Sequence, residues 1–214
     1  MLRPMLWVML ICMAIAWDGG NRARAGEWQR VKKVFDGDTI VLEDGTRVRY
    51  LGINTPEVAH KDARAEYFGD KARRENAGIV RRKKVRLEFD REKKDRFGRT
   101  LAYVFLEDGR FVNQLLVEKG CAYVFYHSSN TRYWDTLFQA QKRAIHAGAG
   151  IWPFIKSIRG TFMGNKASRR FHHPTCRFAK KLHPKNKVSF SSLVDAFRAG
   201  FAPCRSCVDL HAEK

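Results

Sequence analysis

Three segments of this 214-residue chain bring carboxylates, arginines and an amide close together. The first is Asp36-Gly37-Asp38-Thr39. The second is Arg49-Tyr50-Leu51-Gly52-Ile53-Asn54-Thr55-Pro56-Glu57. The third is Asp95-Arg96-Phe97-Gly98-Arg99. Together they match what hydrolysis of a phosphodiester requires. Charge builds on the leaving and equatorial oxygens as the bond breaks, and cations or guanidinium groups around the phosphorus stabilise it. An arginine meets two phosphate oxygens with its planar fork and never deprotonates. A carboxylate must position or deprotonate the attacking water. A hard cation such as calcium takes oxygen ligands. The segments supply each part: carboxylates at Asp36, Asp38 and Glu57, an amide oxygen at Asn54, and guanidinium groups at Arg49 and Arg99. Pro56 holds Thr55 extended and stiffens the turn that carries Glu57. Singly, each segment says little, since Asp-Gly-Asp is a common turn.

A second set lies near the C-terminus. His172 and Cys176 are separated by three intervening residues, and Cys204 and Cys207 by two. Paired ligands at such spacings suit tetrahedral zinc, and a Cys3His set is a usual structural site. Pro203 shapes the turn that presents the last two thiolates. His173 is a rival ligand, and a Cys204–Cys207 disulfide is the alternative in an oxidising compartment. Cys121 reads as a small buried side chain and His183 as an exposed loop residue.

The elements that must position these residues follow from periodicity. Trp28 to Phe35, Thr39 to Glu43 and Arg47 to Ile53 read as strands, with Asp44-Gly45 as a hairpin turn. Ala63 to Val80 is rich in helix formers. Val85, Leu87 and Phe89 alternate with Arg86 and Glu88 as a half-buried strand. Leu101 to Leu106 is another, and Phe111 to Lys119 a short helix. Trp134, Leu137, Phe138 and Ile145 form one stripe of a helix ended by Gly148. Ser191 to Ala199 is a short amphipathic helix between the Cys and His pairs. The fold class is α+β: a five-stranded OB-type barrel with packed helices over residues 26–152, a linker at 153–160, and a small zinc-binding module over 161–214.

Lys and Arg total 41 against 22 Asp and Glu, a formal charge of +19. Such a surplus favours a polyanionic partner, nucleic acid or an anionic membrane. The 44% hydrophobic content excludes a disordered basic tail. Residues 1–25 read as a signal peptide. Arg3 precedes the apolar run from Met5 to Trp17, which is too short to span a bilayer, and Ala23-Arg24-Ala25 fits a cleavage site. The expected location is therefore periplasmic or secreted. An uncleaved segment anchoring the chain to a membrane is the alternative. Cys12 would leave with the signal.

The three acidic and basic segments, in order and spacing, resemble the thermonuclease, or staphylococcal-nuclease-like, family. The likeness runs from about Trp28 to Trp152 and includes Tyr67-Phe68-Gly69, Leu101-Ala102-Tyr103 and Ile151-Trp152. It implies an OB-fold endonuclease that cleaves DNA and RNA with calcium and leaves 3′-phosphate ends. It implies Asp38 and the Thr55 carbonyl as calcium ligands, with Asn54 where the family usually has a second aspartate ligand. It implies Glu57 as general base, Arg49 and Arg99 as phosphate-binding arginines, Asp36 as an acid close to the metal, and Tyr126 as a pocket tyrosine for substrate. Asn54 keeps an oxygen but loses a charge, so calcium is expected to bind more weakly. Phe97 stands where the family has a phosphate-contacting tyrosine. The second reading is a non-catalytic nucleic-acid-binding protein on a degenerate nuclease fold. The segments at Gly164–Lys166, Phe171–Cys176 and Gly200–Cys207 resemble the Ada-type metal-binding module, with His172 in place of its first cysteine. That substitution removes the reactive thiol and leaves a structural or DNA-contacting role. Truncation after Trp152 is expected to weaken DNA binding and spare the chemistry.

Overall fold

A computed structural model describes residues 26–59, 64–208 and 210. Residues 1–25, expected as a signal peptide and including Cys12, lie outside the described residues. The elements in chain order are β1 (Trp28–Val34), β2 (Thr39–Leu42), β3 (Arg47–Tyr50), β4 (Ile53–Asn54), α1 (Gly69–Val80), β5 (Lys84–Glu88), β6 (Thr100–Leu106), α2 (Val112–Glu118), β7 (Tyr123–Val124) and α3 (Trp134–Ala147). There follow α4 (Trp152–Ser157), β8 (Phe162–Asn165), β9 (Arg170–His172), α5 (Arg177–Lys180), β10 (Lys187–Phe190), α6 (Leu193–Arg198) and β11 (Ala202–Pro203).

The five longer strands of the first half close into a barrel in the order β1-β2-β3-β6-β5, the OB-type architecture expected. Neighbours pair antiparallel except β3 and β6, which run parallel with Arg49 opposite Leu101. Alternation decides which side chains face in. Val85 and Leu87 on β5 are fully buried while Lys84 is exposed. Each such aliphatic side chain contributes roughly 1.5–3 kcal/mol by leaving water. Beyond Tyr50 the chain turns at Leu51-Gly52 and forms β4, which pairs with β7 instead of continuing β3. Asn54 thereby leaves the barrel wall facing Tyr123.

The helix expected from Ala63 begins at Gly69, and residues 60–63 lie outside the described residues. Phe68 holds a left-handed backbone (φ 76°), which interrupts a helix. The stretch before it serves another purpose. The Glu66 amide donates to the Glu57 carbonyl at 2.9 Å, and the Glu57 amide donates to Glu66 Oε2 at 2.8 Å. A Cβ on Gly69 would lie 2.2 Å from the Glu57 carbonyl oxygen. The start of α1 is therefore packed directly against the turn that carries Glu57.

The C-terminal half forms a four-stranded sheet in the order β10-β8-β9-β11, with α5 and α6 beside it. Its strands are too short to announce themselves by alternation. Residues 153–160, expected as a linker, instead begin as helix α4, with Ile155 fully buried. One apolar cluster joins Tyr123, Ile145, Trp152 and Ile155 to Phe171, Leu193 and Phe197 of the C-terminal half. Buried Gln141 on α3 accepts from the Val124 amide at 2.7 Å and donates to the Phe197 carbonyl at 2.6 Å. Truncation after Trp152 would thus strip a shared core and leave polar groups unpaired, so it does not spare the nuclease half in the way the sequence suggested. The half-buried stripe of Trp134 and Phe138 is covered by Gly200, whose added Cβ would meet Phe138 at 3.0 Å.

Two glycines of α1 test this packing. Gly69→Ala is expected to lower the free energy of unfolding by about 1–3 kcal/mol, because a backbone carbonyl must move. Gly78→Ala, where nothing lies within 4 Å, is expected to raise it by about 0.5–1 kcal/mol. Urea denaturation of the two variants checks both signs.

Candidate active site and metal centre

The acidic turn sits between β1 and β2. The Asp36 amide donates to the Thr39 carbonyl at 3.3 Å, and the Asp38 amide to Asp36 Oδ1 at 3.0 Å. Gly37 passes the Thr55 side chain so closely that a Cβ would lie 2.6 Å from its hydroxyl. From α1, buried Asn76 reaches across: its amide donates to the Asp36 carbonyl at 3.1 Å, and its Oδ1 accepts from Tyr50 Oη at 3.0 Å. The helix thereby ties the turn to the end of β3.

Asp38 is the hub. Its Oδ2 accepts from Arg49 Nη1 at 2.7 Å and from the Thr55 amide at 2.9 Å. Arg49 also gives Nη2 to Asn54 Oδ1 at 2.7 Å. The Asn54 amide nitrogen donates to the Tyr123 hydroxyl at 2.7 Å and to the Thr55 carbonyl at 3.1 Å, which fixes the oxygen toward the arginine. Asp36, Asp38, Arg49, Asn54 and Thr55 are all at most 9% exposed. Burial, then the neighbouring Asp38 carboxylate, pushes the Asp36 carboxyl up to about 7. Two buried acids side by side with one guanidinium make a centre that a cation would stabilise. The oxygen donors Asp36, Asp38 and the Thr55 carbonyl fit a hard divalent ion.

Arg99 arrives on a turn built by Asp95. Oδ1 of Asp95 accepts from the Phe97 and Arg99 amides, both at 2.9 Å, and Oδ2 from Arg99 Nε at 2.7 Å. These bonds hold the Asp95 carboxyl below its usual range despite the opposing effect of burial. Asp36, Asp38, Arg49, Glu57 and Arg99 line one open pocket of about 310 Å³, with Phe97 at its rim, 69% exposed. Tyr126 is not brought there. Its ring packs edge-on against Trp134 at 5.1 Å, and its neighbours Phe125 and His127 line the adjoining cleft instead.

The matching family profile, that of staphylococcal nuclease homologues, covers residues 47–153. A thermonuclease of Staphylococcus intermedius is 39% identical, over 68% of this chain and 90% of its own length. This chain belongs to the staphylococcal nuclease family. A thermonuclease of Staphylococcus hyicus is 37% identical over 58% of this chain and 74% of its own, and an endonuclease of Bacillus subtilis 36% over 56% and 59%. The family member described here is a nuclease, a hydrolase of phosphodiester bonds. Its substrate is nucleic acid.

At the C-terminal end, ligand atoms of His172, Cys176, Cys204 and Cys207 lie within 4.8 Å of one another. Nδ1 of His172 is 3.7 Å from Cys176 Sγ and 4.0 Å from Cys207 Sγ. A tetrahedron with zinc–ligand bonds of about 2.0–2.3 Å has edges of about 3.3–3.8 Å, so the set fits an ion after slight contraction. Burial, then Arg170, keeps the imidazole below its usual range, which favours the neutral form that a metal ligand needs. His173 is exposed, and its Nδ1 is taken up by Thr175 at 2.7 Å. Among the described residues, Cys121, Cys176, Cys204 and Cys207 form no disulfide, and burial pushes the Cys121 thiol up to about 12.

Two participants escaped the sequence reading, Tyr123 and Arg205. Arg205 Nη2 donates to Asn54 Oδ1 at 2.9 Å and to Glu57 Oε1 at 3.0 Å. Tyr123→Phe removes the acceptor that orients Asn54. Turnover is expected to fall about three- to tenfold, with about 1 kcal/mol lost from stability for the unpaired amide hydrogen. Steady-state kinetics beside urea denaturation measures both.

Proposed function

We propose that this nuclease is a calcium-dependent endonuclease that hydrolyses DNA and RNA and leaves 3′-phosphate ends. The observation that carries the reading is the convergence of Asp38, Arg49, Glu57 and Arg99 on one pocket. Asp38, the Thr55 carbonyl and the Asn54 oxygen would hold calcium, with Asp36 beside them. When bound, the ion supplies positive charge next to the scissile phosphate. The chain's own groups do the rest. Glu57, on its buttressed turn, takes a proton from the attacking water. Arg49 and Arg99 bind the oxygens on which charge develops, each as a planar fork. Exposed Phe97 offers a face on which a base can stack, a contact that accepts any base and agrees with action on both nucleic acids. The surplus of basic residues favours strand capture and makes it sensitive to salt.

The purely binding alternative lacks support from this arrangement, since the base and both arginines are present and gathered together. Asn54 is the departure that favours weaker calcium affinity, and its oxygen is already shared by two arginines. His172, Cys176, Cys204 and Cys207 would hold zinc in a structural role. The charged start and short apolar run of residues 1–25 support export to the periplasm or medium.

Glu57→Gln is expected to reduce turnover at least about tenfold while KM changes little, because the amide cannot accept the proton. End-group analysis of the products, by extension with a polymerase before and after phosphatase treatment, is expected to show blocked 3′ ends that the phosphatase frees. Undiminished turnover would remove Glu57 from the base's role, and directly extendable ends would reverse the side of cleavage.

A further inference from the structure

Arg205 lies in the two-residue loop Cys204-Arg205-Ser206-Cys207, between two of the four clustered metal-binding side chains. It is 151 residues from Asn54 and 148 from Glu57, yet its guanidinium bonds to both. The side chain is 66% exposed. A single nitrogen, Nη2, makes both bonds, so a planar group with five N–H donors retains others for an anion. It borders the same pocket as Asp36, Asp38, Arg49, Glu57 and Arg99.

The loop beneath it is well anchored. The Cys204 amide donates to the Phe171 carbonyl at 2.9 Å, and the Cys207 and Val208 amides donate to the Cys204 carbonyl at 3.2 and 3.1 Å. Pro203 is buried and paired in β11. An ion bound by His172, Cys176, Cys204 and Cys207 would clamp both ends of the loop. The same module sends a second arginine toward the cleft. Arg170, two residues before His172, lies 3.6 Å over the Phe125 ring and donates to the Tyr126 carbonyl at 2.9 Å. Arg170, Arg205, Phe125 and Arg49 line one continuous cleft of about 540 Å³ beside the catalytic pocket. The C-terminal module therefore forms one wall of the nuclease groove.

We propose that Arg205 is a third phosphate-binding arginine of the nuclease, supplied by the C-terminal module, and that a metal ion in the Cys3His cluster holds it in place. This rests on the hydrolytic reading of the Asp38–Glu57 site. The arginine also keeps Glu57 turned toward the pocket. Its planar fork is suited to a phosphate of the strand, and its position between Cys204 and Cys207 ties substrate capture to metal occupancy.

The experiment compares wild type with Arg205→Ala, Arg205→Lys and Arg198→Ala, the last an exposed arginine of the same module paired with Asp195. Cleavage kinetics in calcium are measured beside anisotropy titration of a phosphorothioate oligonucleotide that resists hydrolysis. Arg205→Ala is expected to weaken oligonucleotide binding and raise KM about tenfold, the size of a charge-assisted hydrogen bond. The slope of log affinity against log salt is expected to fall by about one phosphate's worth. Arg205→Lys keeps part of the affinity, and Arg198→Ala keeps all of it. Stripping zinc with a selective chelator in excess calcium reproduces the loss in wild type and adds nothing in Arg205→Ala. Wild-type binding and kinetics in Arg205→Ala would overturn the proposal, as would faster cleavage, which would make the arginine a plug on Glu57. Unchanged affinity after zinc removal would overturn the metal's part. Absence of cleavage by wild type would instead overturn the hydrolytic reading, and this inference with it.

Discussion

The buried ion pair between Asp38 and Arg49 is the constraint on which the rest of the site depends. Removing water from both charges costs several kcal/mol, and their attraction offsets it only if the remaining bonds are made. The chain makes them. Thr55 gives its amide to Asp38, Arg49 gives its second nitrogen to Asn54, and Asn54 is held by Tyr123. The barrel brings β2 and β3 side by side so that Thr39 lies opposite Arg49, which sets the acid and the guanidinium within reach. Losing either partner would leave a buried charge unmatched.

Around that pair the fold acts as a set of braces. Asn76 on α1 fixes the acidic turn from one side, and the Gly69 contact fixes the Glu57 turn from another. Asp95 folds a tight loop that offers Arg99. The first two braces join segments that the chain keeps apart, while the third is a local turn. Asp38, Glu57 and Arg99 lie on turns, where backbone can approach a phosphate without interrupting the strands, and Arg49 reaches them from β3.

This division explains what could be read in advance. The acids, arginines and glutamate stand in short runs where spacing alone shows them, and Val85-Arg86-Leu87 alternates as a half-buried strand must. The cysteine and histidine pairs were legible for the same reason, because ligand geometry imposes local spacing. The start of α1 was not, since Ala, Glu and Lys favour helix and only tertiary contacts interrupt it: the bonds between Glu66 and Glu57, the left-handed Phe68 and the close approach of Gly69. Tyr123 and Arg205 were also hidden. Arg205 stands between two legible cysteines, yet its partners Asn54 and Glu57 are 151 and 148 residues away and are met only because the halves share one core, while Tyr123 meets Asn54 only through the pairing of β4 with β7. The module's strands, two to four residues long, carry too little pattern to be seen.

The central claim is that the carboxylate and arginine cluster works with a bound hard cation. Its most direct test is cleavage of plasmid DNA and of RNA by the protein from Gly26 onward, followed as free calcium is raised from none to millimolar and then removed by excess chelator. The account predicts that both nucleic acids are cut only with calcium present, that chelation stops the reaction, and that re-addition restores it. Cleavage that continues unchanged in chelator, or folded protein that cuts neither substrate at any calcium concentration, would contradict it.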